Sequence, residues 1–411
     1  MSGHHIPDRP LRVLMTSWAW SSHYLPLVPL GWALRAAGHD VRVASQPALA
    51  PVITDSGQVA VAVGPDLDHT EVHRRVMAGL TLTGVPAAPA AGESMRHWAP
   101  ARQDRVRRVF GVFNAYAEAM LDDLLAYARW WRPDLVVFDP TTYAGPVVAA
   151  ALGVPAVRHI HGVDVTYQAR DVIGGYVAAL ADRLGLVDVD PLGTVTVDPC
   201  PPRMQIPDPL RRLPVRYLPY NGPAVLPDWL HAPAHRRRIC LTWGTSTTRL
   251  TGPDTVTLPT VLAAAAGLDV EVVVAVTRRD AEALGDVADN VRVAPDLPLH
   301  LVLPSCAALV HQGGNGTLLT GVWHRVPQLV LPRLPDQRFH TDRFVATGAG
   351  LALPAEAVTV AAVRAALVEL LDGTAYRARA GQLRDESWAM PTPAAIVADL
   401  AALATPTPVH S

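Results

Sequence analysis

The sequence contains no lysine and carries little charge overall. Only 18% of its 411 residues are charged, the formal net charge is -2, and all 35 basic residues are therefore arginines. These arginines are spread along the chain instead of forming a long basic segment. Such a distribution does not attract nucleic acid or an anionic membrane, so we expect neither as a partner.

Cysteine is also scarce. Cys200, Cys240 and Cys306 are far apart in the sequence, and their spacing matches neither paired zinc ligands nor a disulfide framework. We therefore expect a cytoplasmic protein without a structural metal. An Asp-x-Asp sequence at residues 188–190 spells a known metal motif, but the pattern that surrounds that motif in its own fold is missing.

No apolar run is long enough to cross a membrane. The longest, residues 143–157, is interrupted by two glycines and two prolines, and it is shorter than the roughly 20 residues that a membrane span needs. An apolar stretch at residues 11–18 has neither a basic region before it nor a small-residue cleavage site after it. We interpret this stretch as a first strand and expect a soluble protein.

Half of the residues are hydrophobic, and short apolar segments alternate with helical patterns. Residues 11–17 and 39–45 are predicted strands on either side of a helix at residues 27–37, an order typical of parallel sheets. A long amphipathic helix is predicted at residues 106–131. The remaining predicted strands are residues 133–139, 155–160, 239–243, 268–276, 291–294, 307–310, 328–331 and 351–354.

The length of the chain suits two domains of about 200 residues each. Prolines recur between residues 198 and 233, which favours an extended connection. We place the first domain at residues 1–212, a linker at 213–236, the second domain at 237–390 and a last helix at 391–411. Residues 66–100 have no clear period and predict a variable loop or short helices, and long loops of this kind often shape binding sites.

A glycine-rich turn follows the predicted strand at residues 307–310 and precedes a predicted helix. Its sequence, HQGGNGT, runs from His311 to Thr317. The unpaired amides at the start of a helix favour a phosphate group. The imidazole of His311 and the hydroxyl of Thr317 could donate further hydrogen bonds to it. The turn matches neither the P-loop nor the dinucleotide-binding fingerprint, and it could also be only a turn.

Two polar residues follow the next predicted strand. Asp336 and Gln337 lie just beyond the strand at residues 328–331. Ligands of open α/β sheets bind at the carboxyl ends of the strands, so this pair should face the same crevice as the glycine-rich turn. Carboxylate and amide groups suit sugar hydroxyls. Together the two segments indicate a nucleotide sugar.

These segments resemble the donor-binding signature of glycosyltransferases that modify macrolide and aromatic polyketide antibiotics. The resemblance implies an α/β protein with the glycosyltransferase B fold, in which two Rossmann-like domains face each other and a C-terminal helix crosses back to the first. It further implies a nucleotide-sugar donor, specifically a dTDP-deoxysugar, and a hydrophobic polyketide-type aglycone as acceptor. No metal and no cofactor are expected.

Two residues of the first domain are candidates for the chemistry. His23 follows the first predicted strand, and histidine exchanges protons near neutral pH; it could instead cap the helix that follows. Asp139 ends another predicted strand and could orient the imidazole or cap the next turn. The resemblance makes His23 the base that deprotonates the acceptor and Asp139 its partner, with inversion at the anomeric carbon.

The resemblance also assigns the donor site. The diphosphate is expected at His311, Thr317 and the amides around Gly314 to Gly316, and the sugar at Asp336 and Gln337. The nucleobase of the donor would be held by the backbone of Leu297. The complete set of donor-binding candidates is Thr245, Ser246, Leu297, His311, Gly314, Asn315, Gly316, Thr317, Asp336 and Gln337.

Four residues are candidates for the acceptor pocket. They are Trp18, Trp20, Tyr143 and His161. His161 and its near neighbour His159 could equally be structural. The size of these side chains does not choose between a macrolide and a polycyclic aromatic aglycone.

Other functions stay open at this point. A sugar-nucleotide epimerase and a non-catalytic protein that assists a partner transferase could share the fold. The sequence does not decide whether the chain forms a homodimer. Similarity of residues 216–230 to relatives that require an auxiliary activator protein keeps such a partner open.

Overall fold

The structure, a computed structural model, describes residues 9–78, 98–245 and 257–404. Two parallel sheets organise these parts of the chain. The strands of the first are β1 Arg12–Thr16, β2 Asp40–Ser45, β3 Val59–Ala62, β4 Leu135–Phe138, β5 Ala156–His159, β6 Val195–Asp198 and β7 Arg212–Pro214. Those of the second are β8 Arg237–Leu241, β9 Val270–Val274, β10 Val291–Val293, β11 Cys306–His311, β12 Gln328–Val330 and β13 Gly350–Ala352.

Helices connect most of these strands. In the first half they are α1 Ser21–Tyr24, α2 Val28–Ala36, α3 Ala50–Asp55, α4 His69–Val76, α5 Pro100–Trp131, α6 Ala144–Leu152, α7 Val165–Gln168 and α8 Arg170–Asp182. In the second half they are α9 Leu258–Ala265, α10 Arg278–Glu282, α11 Leu299–Val302, α12 Asn315–Trp323, α13 Pro335–Val345, α14 Val360–Asp372, α15 Thr374–Ala389 and α16 Val397–Ala404. Short 3-10 turns lie at Leu25–Leu27, Pro47–Leu49, Asp228–Leu230, Leu303–Ser305 and Ala355–Ala357.

The order of the strands confirms the predicted pair of Rossmann-like domains. The first sheet has the order β3-β2-β1-β4-β5-β6-β7 and the second β10-β9-β8-β11-β12-β13, and neighbouring strands are parallel. In each sheet the chain starts in the middle, builds one half, and then returns to build the other. The turning point lies between β1 and β4 in the first sheet and between β8 and β11 in the second, where α/β proteins bind ligands.

The structure contains strands that the sequence pattern did not predict. Strand β3 is short and half-exposed, and β7 lies inside the proline-rich segment interpreted as a linker. Because β7 is an edge strand that ends at a proline, it can pair on one side only. The last predicted helix begins at Val397 instead of residue 391, because two prolines precede it.

The last helix returns to the first domain, as the resemblance implied. Ile396, Val397 and Leu400 belong to the same hydrophobic cluster as Val13 of β1 and Tyr24 of α1. Another cluster covers the opposite face of this sheet with residues of α5, α6 and α8. The first sheet is therefore buried on both faces, as parallel sheets usually are.

The two domains contact each other beside a cleft. One hydrophobic cluster combines Tyr167 and Met204 from the first half with Leu318 and Phe339 from the second. The guanidinium of Arg343 on α13 donates hydrogen bonds to the backbone oxygens of Met204 at 2.9 Å and Gln205 at 2.6 Å. These contacts hold the carboxyl ends of the two sheets toward each other.

Two further expectations concern membranes and cysteines. Among the described parts of the chain, no helix has the length and apolar character needed to cross a membrane. Cys200, Cys240 and Cys306 are buried free thiols.

Packing of the last helix gives a prediction about stability. Leu400 is fully buried. We expect Leu400→Ala to lower the free energy of unfolding by about 2 to 5 kcal/mol, because the space left by the removed side chain cannot close completely. Urea unfolding followed by circular dichroism measures this loss. Asp399→Asn, at an exposed neighbouring position, is the control and should change stability little; equal stability of both variants would contradict the packing.

Candidate functional site

A cavity of about 1110 Å³ lies between the carboxyl ends of the two sheets. Most of the candidate residues line it, whereas Ser246 lies outside the described residues. The candidates at the wall are Trp18, Trp20, His23, His161, Thr245, Leu297, Gly314, Asn315, Gly316, Thr317, Asp336 and Gln337. Asp139, Tyr143 and His311 are not part of the wall.

His23 and Asp139 form a hydrogen-bonded pair, as expected for a base and its partner. Nδ1 of His23 lies 2.9 Å from Oδ1 of Asp139. His23 is on the one-turn helix α1 after β1, and Asp139 follows β4, the neighbouring strand. The pairing assigns the proton to Nδ1 and leaves Nε2 of His23 to act on a ligand.

Asp139 is a fully buried carboxylate with many donors around it. Its Oδ2 accepts hydrogen bonds from the hydroxyls of Thr141 and Thr142, both at 2.7 Å, and from the Thr141 amide at 3.2 Å. Burial alone would raise the pKa of Asp139, but His23 and His161 hold this pKa well below its usual range. The carboxylate therefore stays negative at neutral pH.

His161 is a second histidine at the same carboxylate. Its Nε2 lies 3.0 Å from Oδ1 of Asp139, although the two atoms are not aligned for a hydrogen bond. Burial lowers the pKa of His161, and Asp139 only partly opposes this shift. His159 points away, with Nδ1 at the Ile160 backbone oxygen, and burial lowers its pKa to about 4.

Aromatic side chains form the wall next to His23. Trp18 lies 5.1 Å from His23 between ring centroids and stacks on Trp20 at 5.1 Å, while Phe113 of α5 lies 6.0 Å from His23. Nε1 of Trp18 donates to the Thr141 hydroxyl at 3.0 Å. This indole therefore both lines the cavity and supports the residues that hold Asp139.

The structure corrects the placement of Tyr143. Its side chain is 1% exposed and belongs to the core of the first domain. The hydroxyl donates to the backbone oxygen of Phe110 at 3.2 Å, and the ring stacks on Tyr176. Tyr143 follows β4 as expected, but its side chain points into the core instead of the cavity.

The glycine-rich turn presents open amides to the cavity. Helix α12 begins after Gly314, which provides no side-chain cap. The first amides of the helix, at Asn315, Gly316 and Thr317, thus have no partner within the helix. Gly313 has φ +94°, and a side chain there would press on Thr341 and Val330. The turn therefore requires this glycine.

The ring of His311 does not reach the cavity, which corrects the expectation that it donates to a phosphate. It is 0% exposed. Its Nε2 lies 2.8 Å from the side-chain oxygen of Gln328, and its Nδ1 accepts from the Gly313 amide at 3.0 Å. Burial lowers its pKa to about 4. His311 is therefore neutral at pH 7 and holds the turn from below.

Asp336 and Gln337 begin α13 at the edge of the cavity. Their roles differ, because the side-chain oxygen of Gln337 accepts from the amides of Arg333 and Leu334 at 2.9 and 3.1 Å. This oxygen thus orders the loop before the helix. The carboxylate of Asp336 is the acceptor that this pair offers to a ligand.

The sequence reasoning missed two residues at this site. His340 lies one turn after Asp336 on α13, lines the cavity and contacts Asn315, with 3.3 Å between Nε2 and Nδ2. Burial lowers the pKa of His340, partly opposed by Asp336. Gln312 lines the cavity, and its buried side-chain oxygen has no hydrogen-bond partner among the residues that the structure describes. The four-residue spacing from Asp336 was the available signal for His340.

The two halves of the site approach each other at Gly162. A Cβ atom at this position would lie 2.6 Å from Oδ1 of Asn315. Gly162 follows His161 of the first domain, and Asn315 begins the glycine-rich helix of the second. On the same side, the Tyr217 hydroxyl donates to the backbone oxygen of Gly316 at 3.2 Å.

Two protein-family models match this chain. Residues 32–244 match the family described as "Erythromycin biosynthesis protein CIII-like, N-terminal domain", and residues 259–403 match the corresponding C-terminal domain. The chain belongs to this family. Its members named below are glycosyltransferases, and the chain is therefore a glycosyltransferase as well.

Two relatives illustrate the range of the family. The 10-deoxymethynolide desosaminyltransferase of Streptomyces venezuelae is 39% identical, over 96% of this chain and 97% of the relative. The aclacinomycin-T 2-deoxy-L-fucose transferase of Streptomyces galilaeus is 36% identical, over 94% of each chain. Both similarities extend over nearly the whole glycosyltransferase.

Solved structures share the fold. The crystal structure of the glycosyltransferase VinC in complex with dTDP superposes with a TM-score of 0.78 and 36% identity, covering 96% of this chain and 99% of VinC. The spinosyn rhamnosyltransferase SpnG complexed with spinosyn aglycone gives a TM-score of 0.80 and 30% identity, covering 95% and 100%. The glycosyltransferase B fold is thereby confirmed.

His23, Asp139 and His161 together also have the composition of a metal site. One ligand atom each from His23, Asp139 and His161 lies within 4.8 Å of the others, and two histidines with one carboxylate can bind transition metals. In the observed arrangement Nδ1 of His23 is hydrogen-bonded to Asp139. A metal ion would have to replace that hydrogen bond.

The burial of His311 predicts how stability depends on pH. Its folded pKa of about 4 is below the usual 6.5, so between these values the unfolded chain binds a proton that the folded chain does not. The resulting stability is complete above pH 6.5 and is lost as pH falls toward 4, by about 2 kcal/mol at pH 5.

His311→Gln removes this titration. We expect its urea midpoint to fall less between pH 7.5 and pH 5 than that of the native glycosyltransferase. The exposed His235→Gln should retain the native pH dependence. The same pH dependence in all three proteins would refute the assignment of a neutral, buried His311.

Proposed function

We propose that this glycosyltransferase transfers a deoxysugar from a dTDP-linked donor to a hydrophobic polyketide-type aglycone, with inversion at the anomeric carbon. One observation carries the proposal. His23, held by the buried carboxylate of Asp139, lines the same cavity as the open amides at the start of α12. Relatives named for transfer to macrolide and aromatic aglycones, and VinC with bound dTDP, support these substrates.

In this proposal each domain binds one substrate. The aromatic wall of Trp18, Trp20 and Phe113 beside His23 suits an apolar acceptor. The second domain, with its glycine-rich turn, binds the nucleotide sugar. The reacting atoms then meet between the two sheets.

The base step uses the geometry of the first domain. Nε2 of His23 takes the proton from the acceptor hydroxyl while the oxygen attacks the anomeric carbon. The bond from this carbon to the donor diphosphate breaks on the opposite side, and the nucleoside diphosphate leaves with the bonding electron pair. Asp139 stabilises the imidazolium that forms, as the carboxylate does in a catalytic triad.

The second domain would stabilise the leaving group. The amides of Asn315, Gly316 and Thr317, with the Thr317 hydroxyl, are donors at the positive end of α12. We propose that they hold the diphosphate without a metal or another cofactor, while His311 only orders the turn. Asp336 and the Gln337 amide nitrogen would contact the sugar.

The remaining donor contacts rest on position in the cavity. Thr245 lies at the carboxyl end of β8 and Leu297 lies beyond β10, and both line the wall. We propose that Thr245 contacts the phosphate or sugar of the donor and that the backbone of Leu297 binds its nucleobase.

An epimerase or a non-catalytic auxiliary is a weaker proposal. An epimerase acts on the nucleotide sugar alone, and the apolar half of the cavity would then have no substrate. A protein that only binds the donor would not require the pair of His23 and Asp139. We also propose a cytoplasmic location for the protein. Measuring the activity of the purified chain alone would decide whether the enzyme depends on an activator protein.

Removal of the base tests the mechanism. We expect His23→Ala to lower turnover by about 10²-fold or more and to leave dTDP binding unchanged, because His23 belongs to the other half of the cavity. The exposed His235→Ala serves as a matched control with native turnover. Native turnover of His23→Ala would remove this residue from the mechanism.

The nucleotide is tested by calorimetric titration with dTDP and UDP. We expect clear binding of dTDP, weaker binding of UDP, and loss of about tenfold in dTDP affinity in Thr317→Val, since one hydrogen bond to a charged group is removed. Thr374→Val, at an exposed position, is the control. Failure of both nucleotides to bind would contradict the proposed donor site.

A further inference from the structure

One face of the long helix α5 forms a wall of the acceptor half of the cavity. Six of the lining residues in its first half recur at helical spacing, and these are Arg102, Arg105, Val106, Val109, Phe110 and Phe113. Phe113 contacts His23, so this end of the face lies at the reacting atoms. Arg105 is eight residues earlier, which places it about 12 Å from Phe113 along the helix axis.

Arg105 brings an uncompensated positive charge to this wall. It is half-buried, lines the cavity and makes no hydrogen bond or ion pair with the residues that the structure describes. Its neighbours differ: Arg107 and Arg108 pair with Asp104 at 3.8 and 3.0 Å. The guanidinium of Arg102 lies over the ring of Trp98 at 3.9 Å, at the same end of the face.

A second donor without a hydrogen-bond partner among the described residues lies at the last residue of α7, next to the cavity. Gln168 is only 4% exposed and lines the cavity, and its Nε2 has no hydrogen-bond partner in the described chain. The next residue, Ala169, packs in the same hydrophobic cluster as Phe110. A buried amide donor of this kind costs free energy unless a ligand oxygen accepts from it.

Within the described parts of the chain, no carboxylate that lines the cavity balances these hydrogen-bond donors at the α5 wall. The described acids that line the cavity are Asp55, Asp164, Asp296 and Asp336. Asp164 is paired with Arg158 at 2.6 Å, and Asp55 ends α3. Asp296 and Asp336 belong to the second domain, which binds the nucleotide sugar in the proposed function. The wall formed by α5 is therefore apolar near His23 and positive at its far end.

We propose that the acceptor of this glycosyltransferase carries a carboxylate about 12 Å from the hydroxyl that receives the sugar, and that Arg105 binds this carboxylate. The inference rests on the proposed function, which it extends by naming the acceptor class. The hydroxyl end of the acceptor would lie against Phe113 and His23, and its apolar body along Val106 to Phe110. Gln168 provides a further donor to an oxygen of the same molecule.

Acceptor binding without nucleotide tests the proposal separately from the donor site. The probes are a dihydroxyanthraquinone carboxylic acid, with one hydroxyl and the carboxylate at opposite ends of the ring system, and its methyl ester, which lacks the charge. Quenching of tryptophan fluorescence measures their affinity, since Trp18, Trp20 and Trp98 line the cavity. We expect the acid to bind about tenfold more tightly than the ester, as for one charge-assisted contact.

Variants of α5 identify the responsible charge. Arg105→Gln should abolish the preference for the acid, and Arg105→Lys should retain part of it. Arg107→Gln, on the exposed side of the same helix, is the matched control and should keep the native preference.

Three results would overturn the proposal: equal affinity for acid and ester, a preference for the acid that survives in Arg105→Gln, or no binding of either probe. The dTDP titration of the same protein samples is independent of these results. Failure of the acceptor proposal with intact dTDP binding would therefore leave the proposed donor chemistry standing.

Discussion

The buried carboxylate of Asp139 is the constraint on which the candidate site depends. A fully buried charge is costly unless donors surround it, and here Thr141, Thr142 and His23 provide those donors. Their positions require β1 and β4 to be neighbours and the loops after both strands to meet, which the Trp18 indole helps to maintain through Thr141. The orientation of His23 toward the cavity is thus a consequence of how the first domain compensates one charge.

The order of the strands in the two sheets positions both halves of the site. In both sheets the cavity lies beyond the two central strands from which the chain builds outward in opposite directions. In the first domain these strands lead to His23 and Asp139, and in the second, β8 and β11 lead to Thr245 and the glycine-rich turn. Because Arg343 and one hydrophobic cluster join the domains, both crevices open into one cavity.

Much of this arrangement could be predicted from the sequence, and the errors have a common cause. Strand ends and the glycine-rich turn follow from the order of residues along predicted strands, whereas the pairing of His23 with Asp139 is favoured over helix and turn capping because of the family resemblance. The direction of a side chain does not. Tyr143 and His311 both lie in segments next to the cavity, yet packing turns one into the core and the other beneath its turn. Strand β7 was missed because an edge strand tolerates a proline that the pattern assigns to a linker.

Burial makes the other histidines of the cleft poor proton acceptors at neutral pH. It lowers the pKa of His161, His340 and His311, so these rings are neutral near pH 7. In the proposed mechanism, a neutral ring beside His23 would not repel the imidazolium formed from His23, whereas the negative Asp139 would attract it. The diphosphate, in turn, would have to be held by amide dipoles instead of charged histidines. His23 differs from these three histidines in its hydrogen bond to the buried carboxylate of Asp139, which is why the proposed mechanism uses it as the base.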